Sequence, residues 1–390
     1  MNKLLTILLL TFGSTLSART VDFYLASRMD GVHPLYDGHF TNIWGYGFLD
    51  PETLSSRISL PAPTLRVRLG DTVNLHFFNP SEEGHTIHLH GLDVDQANDG
   101  VPHTSFYVLN GQWATYSFVA NHTGNYLYHC HVTTTLHLTM GMYGMLIVDS
   151  EKPDELFPGG PKFDREYPFL FSDMERAWND DYTTGGSFIE FEADHFLVNG
   201  LSRQMVYDSA YTHIQTPGNE RVLLRLMNIA YSGIRIDLPP GIIGEVHTSD
   251  GRELPEPFQT GSLVVYPGER YSMIIDFPRR YVGKIRVTHF DLNGLEELGE
   301  SIIPINEPSP HPFDESNAIV YPNPSNGVLH FNRLWDIREV ELMSSGGKIL
   351  LQAQPGPDGM DVRQIPPGIY LCRIHYKDGS VQLVKMVQVP

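Results

Sequence analysis

From Thr64 to Pro80 the chain reads TLRVRLGDTVNLHFFNP, with apolar and polar residues alternating on both sides of Gly70-Asp71. Period-two alternation marks half-buried strands, and a Gly-Asp pair between two such runs predicts a hairpin. ATYSFVA (114–120), GNYLYHCHV (124–132) and YGMLIVD (143–149) read as further strands. The same character returns in RVLLRLMNI (221–229), GSLVVYPGERYSMIIDF (261–277) and GKIRVTHF (283–290). No long helical period occurs anywhere. Many short strands separated by turn residues predict an all-β chain of sandwich domains.

Breaks in the pattern divide the chain. Residues 1–18 open with Met-Asn-Lys, continue through an apolar run from Leu4 to Phe12 and end in small residues, Ser17-Ala18. That order predicts a secretory signal peptide. Its apolar run is too short for an ordinary membrane span, and no later stretch reaches the ~18 apolar residues that one needs. Two strand-rich regions follow, 19–150 and 151–308. The Pro-rich stretch PINEPSPHPFDESN predicts a linker, placed at 309–317. Residues 318–390 form a smaller strand-rich unit, with AIVYPNPSNGVLHF, VELMSSGGKILLQ, GIYLCRIHY and SVQLVKMVQV.

Composition sharpens this reading. The 390 residues contain 41% hydrophobic and 19% charged positions, ordinary for globular domains with apolar cores. The net charge of −19 argues against nucleic acid or an anionic membrane surface as partner, since each requires a basic face. The two cysteines, Cys130 and Cys372, lie far apart in unlike surroundings, so no disulfide framework is expected. Histidine is the unusual residue: of 18, eight fall between His85 and His137.

Those histidines sit in HTIHLHG (85–91) and YLYHCHVTTTLHLTMGMYG (126–144). Side chains two apart on a strand share a face. His88 and His90 therefore point one way, as do His129 and His131, while Cys130 points the other. If the two strands are neighbours, His85 joins the Cys130 side, and the loop beyond adds His137 and Met142. One face then gathers His85, Cys130, His137 and Met142; the other gathers four imidazoles, His88, His90, His129 and His131. Two histidines, a thiolate and a weak axial thioether make a blue-copper electron-transfer set, whereas imidazoles alone suit Cu, Zn, Fe or Ni. The shared segment His129-Cys130-His131 places a short covalent path between the two sets.

These two segments resemble the multicopper oxidases, the laccase and copper-resistance-oxidase superfamily of cupredoxin domains. PAPTLRVRLGDTV looks like the opening of that family's first domain, and DGVP at 99–102 recurs after its H-x-H-G. RVLLRLMNIAYSGIRIDL, TSDGRELPEP and LVVYPGERYSMIIDF resemble its copper-free second domain. The resemblance covers about residues 55–290. It implies two cupredoxin-like Greek-key β-sandwiches, with copper as the cofactor. His85, Cys130, His137 and Met142 would be the type 1 ligands, and His88, His90, His129 and His131 would belong to a type 2/type 3 centre.

The chain departs from the family pattern in two ways. The family places a His five residues after the Cys, where this chain has Thr135, so His137 implies a two-residue insertion. Met142 keeps the usual step after that His, with Met140 as the competing axial ligand. The family's trinuclear centre also uses eight histidines in four pairs, whereas this chain has two pairs, both in the first domain. His195, His213, His247 and His289 stand isolated in the second. Either the neighbouring chain of a homo-oligomer completes the set or the four-His face holds fewer coppers, and a pairing against the second domain would add at most single histidines.

The C-terminal unit resembles the sorting domain of the type IX secretion system of Bacteroidetes, in YPNPSNGVLHF, GGKIL and IPPGIYLCRIHYKDGSVQLVKMVQV. It implies passage across the outer membrane and then release or surface attachment. The expected function is an exported copper oxidoreductase, taking electrons from a small-molecule or metal-ion reductant and passing them to an oxidant, O₂. A non-enzymatic blue-copper carrier or copper-binding protein is the alternative. Copper nitrite reductase is another: His85, His90, His129 and Cys130 satisfy its spacing, but Ile87-His88 replaces its Asp.

Overall fold

A computed structural model describes residues 19–152, 154–183, 188–209, 212–216 and 218–307. In the C-terminal unit it describes 320–321, 327–331, 337–344, 347–355, 359–366, 368–377 and 381–388. The expected signal peptide and the linker at 309–317 lie outside the described residues. Among those described, no helix is long and apolar enough to cross a membrane.

The first sandwich contains β1 (Thr20–Pro34), β2 (Phe40–Phe48), β3 (Ala62–Arg68), β4 (Thr72–Asn79), β5 (His88–His90), β6 (Gln112–Val119), β7 (Gly124–His129) and β8 (Tyr143–Asp149). Its two sheets run β2-β1-β4-β6 and β3-β8-β7-β5. The predicted hairpin at Gly70-Asp71 is not formed: β3 and β4 belong to opposite sheets, each paired in parallel with another strand, β3 with β8 and β4 with β1. Alternation specifies which face is buried but not which strand is the partner. Leu65 and Val67 from one sheet meet Val73, Leu75 and Phe77 from the other in one core. Asp71 secures the crossing, accepting hydrogen bonds from the Arg68 amide and the Arg19 guanidinium, while the Gly70 amide donates to Ala120.

The second sandwich contains β9 (Arg165–Met174), β10 (His195–Val198), β11 (Glu220–Asn228), β12 (Gly233–Asp237), β13 (Gly244–Ser249), β14 (Arg252–Thr260), β15 (Ser262–Val265), β16 (Arg270–Phe277), β17 (Gly283–Phe290) and β18 (Glu297–Ile305). Its sheets run β10-β9-β11-β16-β13-β14 and β15-β12-β17-β18 around a second apolar core. The C-terminal unit pairs Ile337–Ser344, Ile349–Ala353, Gly368–Tyr376 and Val381–Gln388 in one sheet, and Cys372 is buried in its core. That placement fits a packing role for Cys372.

The two large sandwiches share a joint. Along β7, Tyr126 and Tyr128 enter the first core, so Asn125, Leu127 and His129 turn outward toward the second sandwich. Leu127, Tyr143 and Met145 pack there with Leu170, Met227 and Ile229. Asn125 donates to the backbone carbonyls of Leu226 and Tyr271 and accepts from the Ser272 hydroxyl.

Candidate metal centre

The antiparallel pairing of β5 with β7 sets His88 opposite His129 and His90 opposite Leu127. The chain leaves β7 at His129, yet the Cys130 amide still bonds to the Met142 carbonyl at 3.0 Å, which keeps the alternation going one step further. Cys130 therefore follows Tyr126 and Tyr128 into the core, and the flanking histidines face the joint.

On the core side, Cys130 Sγ lies 3.1 Å from His137 Nδ1 and 3.7 Å from His85 Nδ1. The three donor atoms all fall within 4.8 Å of one another, and all three residues are buried. His85 is fixed by a two-way backbone bridge with Val108. His137 sits in a short helix, α1 (Thr134–Thr139), where the sequence suggested an irregular loop. One helical turn takes up the two extra residues after Cys130 and brings the imidazole back over the sulfur. Met140 and Met142 are both buried in the same core. The Met142 backbone is bonded to His137 through its amide and to Cys130 through its carbonyl; the Met140 carbonyl accepts from Trp44 instead.

Burial governs the charge states here. It pulls His85 down to about 3, with the neighbouring His137 adding to the effect. It also lowers His137, outweighing the attraction of Glu83, and raises the Cys130 thiol. At neutral pH the cluster is thus two neutral imidazoles and a thiol. A soft cation would displace the thiol proton and find both Nδ1 lone pairs aimed at the same point. His85 Nε2 has no hydrogen-bond partner. Three polar groups converging in an apolar core are costly unless a shared ligand satisfies them. His137 Nε2 faces the Glu83 carboxylate at 3.3 Å, and that carboxylate is 45% exposed, so Glu83 links a sealed imidazole to the surface.

On the joint side, the His88 ring centroid lies 5.1 Å from that of His129, 5.2 Å from His131 and 5.6 Å from His90. Donor atoms of His88, His90 and His129 lie within 4.8 Å of one another. His131 stands at the margin of this group, its ring 6.0 Å from that of His129. His88 Nδ1 donates to the Asp99 carbonyl at 2.7 Å and His129 Nδ1 to the Cys130 carbonyl at 2.9 Å, so a backbone carbonyl orients each ring, and His90 Nδ1 donates to His129 Nε2 at 3.2 Å. Burial lowers His129 to about 3 and His90 to about 4, with the Arg270 charge a further cause at His90.

The chain's own second sandwich closes part of this side. A Cβ on Gly268, where φ is +87°, would stand 3.2 Å from His90 Cε1. Only a glycine suits that position on both counts. Second-domain histidines do not join the group: His289 bonds to the Ser232 hydroxyl, His247 pairs with Glu245 and His195 with Asp194. Glu83, Asp99 and Gly268 were not singled out as site residues from sequence. Their parts depend on loops and on domain packing, which leave no periodic signal, although Asp99 does fall inside the recognised DGVP.

Residues 54–153 match the multicopper oxidase family, and residues 319–388 match the secretion-system C-terminal sorting domain. Copper resistance protein A of Escherichia coli is 32% identical over 149 residues, 38% of this chain and 21% of that protein. A multicopper oxidase of Staphylococcus epidermidis is 25% identical over 281 residues, 69% of this chain and 56% of that protein. The chain therefore spans less than two thirds of the length of either relative. Among solved structures, the blue copper oxidase of Nitrosomonas europaea superposes with a TM-score of 0.61 at 25% identity, covering 76% of this chain and 89% of that one.

Proposed function

Because the chain carries a multicopper-oxidase domain and a secretion-system sorting domain, we propose that it is an exported copper oxidoreductase. A type 1 copper would be held by His85, Cys130, His137 and Met142, and a second copper site would be built on His88, His90, His129 and His131. Copper bound at the thiolate site supplies one-electron chemistry, cycling between its two common oxidation states. The protein's own groups do the rest. The core excludes water from Cys130 and holds both imidazoles neutral. Glu83 offers an exposed carboxylate against the edge of His137, where a reductant bearing an acidic N–H or O–H can dock. The peptide His129-Cys130-His131 joins the two donor sets covalently, and O₂ is the oxidant at the imidazole side. The sorting domain fits export by the type IX route to the surface of a Bacteroidetes cell.

One observation carries this reading: two donor clusters of different chemistry stand back to back across a single three-residue segment. Copper analysis of the mature protein, combined with optical and electron paramagnetic resonance spectra, tests it. Two or more coppers per chain, one with an intense thiolate band, support it. One copper with that band and no reaction with O₂ establishes the electron-carrier alternative.

The joint-side set holds half the imidazoles of a complete trinuclear centre, and the second domain places Gly268 and Arg270 there rather than histidine. A second copy of the chain supplies what is missing. Light scattering of the copper-loaded protein decides this, and a strict monomer that reduces O₂ refutes it. The nitrite-reductase reading is disfavoured by Ile87-His88, which leave no carboxylate between His85 and His90 to deliver protons.

A further inference from the structure

The thiolate cluster has a second outlet besides Glu83. Trp44 lies edge-on to the His137 ring at 5.4 Å between centroids, and Tyr182 lies edge-on to Trp44 at 4.8 Å. Trp44 is buried, whereas Tyr182 is 38% exposed. Three rings in consecutive contact thus lead from a donor atom beside Cys130 to the protein surface.

The contact is held by hydrogen bonds. The Trp44 amide donates to the Met140 carbonyl, at the end of the helix that carries His137. Tyr182 follows α2 (Arg176–Asp180), an excursion of the second sandwich that reaches back onto β2 of the first. The Thr41 hydroxyl donates to the Asp180 carboxylate at 2.7 Å, the Asn42 amide to the Asp180 carbonyl at 3.1 Å and the Asn179 amide to the Asn42 carbonyl at 3.0 Å. These bonds fall within three residues of Trp44 on one side and of Tyr182 on the other. The exposed Asp181 lies next to Tyr182, on a chain of net charge −19.

We propose that Tyr182 and Trp44 form an aromatic electron-entry bridge to His137. It serves one-electron donors of positive charge that react by outer-sphere contact at the protein surface. This rests on the copper reading above. In the step, one electron leaves the donor at the Tyr182 surface and reduces one copper(II), held by His85, Cys130 and His137, to copper(I). No atom is transferred, and the donor departs oxidised by one electron. Face and edge contacts replace two through-space gaps with π-density, and the acidic surface draws the cation to the exposed ring.

The test is anaerobic stopped-flow reduction of the copper-loaded protein by hexaammineruthenium(II), followed as loss of the thiolate band. Tyr182→Leu removes the ring but keeps Trp44 covered; it slows this reduction several-fold. Tyr182→Phe retains most of the rate, and reduction by neutral hydroquinone is unchanged in both variants. A second readout needs no turnover. Copper(II) quenches tryptophan emission in the parent protein; the copper-dependent part is lost in Trp44→Phe and kept in Trp113→Phe. An unaltered hexaammineruthenium(II) rate in Tyr182→Leu, with the band and resonance spectrum intact, overturns the bridge. Absence of any thiolate band in the parent overturns the copper assignment itself, so the two failures are distinguishable.

Discussion

The two faces of the His129-Cys130-His131 segment solve opposite problems. The core-side donors, His85, Cys130 and His137, are supplied by one sandwich and sealed within it. Of the joint-side donors, His129 is buried and His88, His90 and His131 are half-buried; they lie where one sandwich meets another, with His90 against Gly268. A sealed set gains selectivity from its thiolate and rigidity from its packing. A set at a boundary gains completeness from whatever packs against it. The same period of two that separates the faces chemically also assigns one to a core and the other to a contact surface.

The sharpest way to break the comparison is Cys130→Ser. The hydroxyl cannot replace a soft thiolate, so the intense visible band should vanish entirely while circular dichroism stays that of the parent. Copper at the imidazole face should persist in the same sample. The converse variant, His88→Ala with His129→Ala, should lower the copper content and abolish O₂ consumption while leaving the band in place. Loss of the band in that variant would show that the two faces are not separable.

Acid should affect both faces of the metal-free protein. His85 and His129 titrate at about 3 in the fold and His90 at about 4, against 6.5 for a free imidazole. The unfolded chain thus binds these protons first as pH falls. Their contribution to stability is complete above pH 6.5 and is lost progressively below it, at roughly 1.4 kcal/mol per pH unit for each fully shifted imidazole. The buried His289, also at about 3 and bonded to the Ser232 hydroxyl outside both donor sets, adds to the same slope. Calorimetry of the metal-free protein from pH 7 to pH 4.5 should show a melting temperature that falls by several degrees, and a flat profile would contradict these burial-driven shifts. The smallest effect separates the methionines. Met142→Leu should shift the reduction potential and spectrum more than Met140→Leu, because the Met142 backbone is tied to both Cys130 and His137; the reverse order would reassign the axial ligand.

Much of this was legible in the chain. Tyr143–Asp149 and Gly283–Phe290 are strands over the residues that the alternation marked. The partition of His129 and Cys130 to opposite faces also followed from strand geometry alone. The pairing of β3 and β4 did not, because two adjacent amphipathic strands bury the same residues whether they lie side by side or face each other across a core. The helix under His137 was hidden by its length: six residues, with Thr at three of them, give no readable period. Glu83 and Trp44 were hidden for a different reason. Each meets His137 only after a long stretch of chain has folded back, and nothing in the local pattern distinguishes a carboxylate beside an imidazole from one in water.

The joint between the sandwiches bears on how this molecule can be taken apart. Leu127, Tyr143 and Met145 belong to the strands that carry or flank the metal donors, yet they bury themselves against Leu170, Met227 and Ile229 of the neighbouring sandwich. Excising residues 19–150 would bare that apolar seam along the same strand that ends in His129. The half that carries both donor clusters is therefore not a portable module. Heat should melt the two sandwiches in one cooperative transition, and recombination between relatives should succeed when both halves travel together and fail when the cut falls between them.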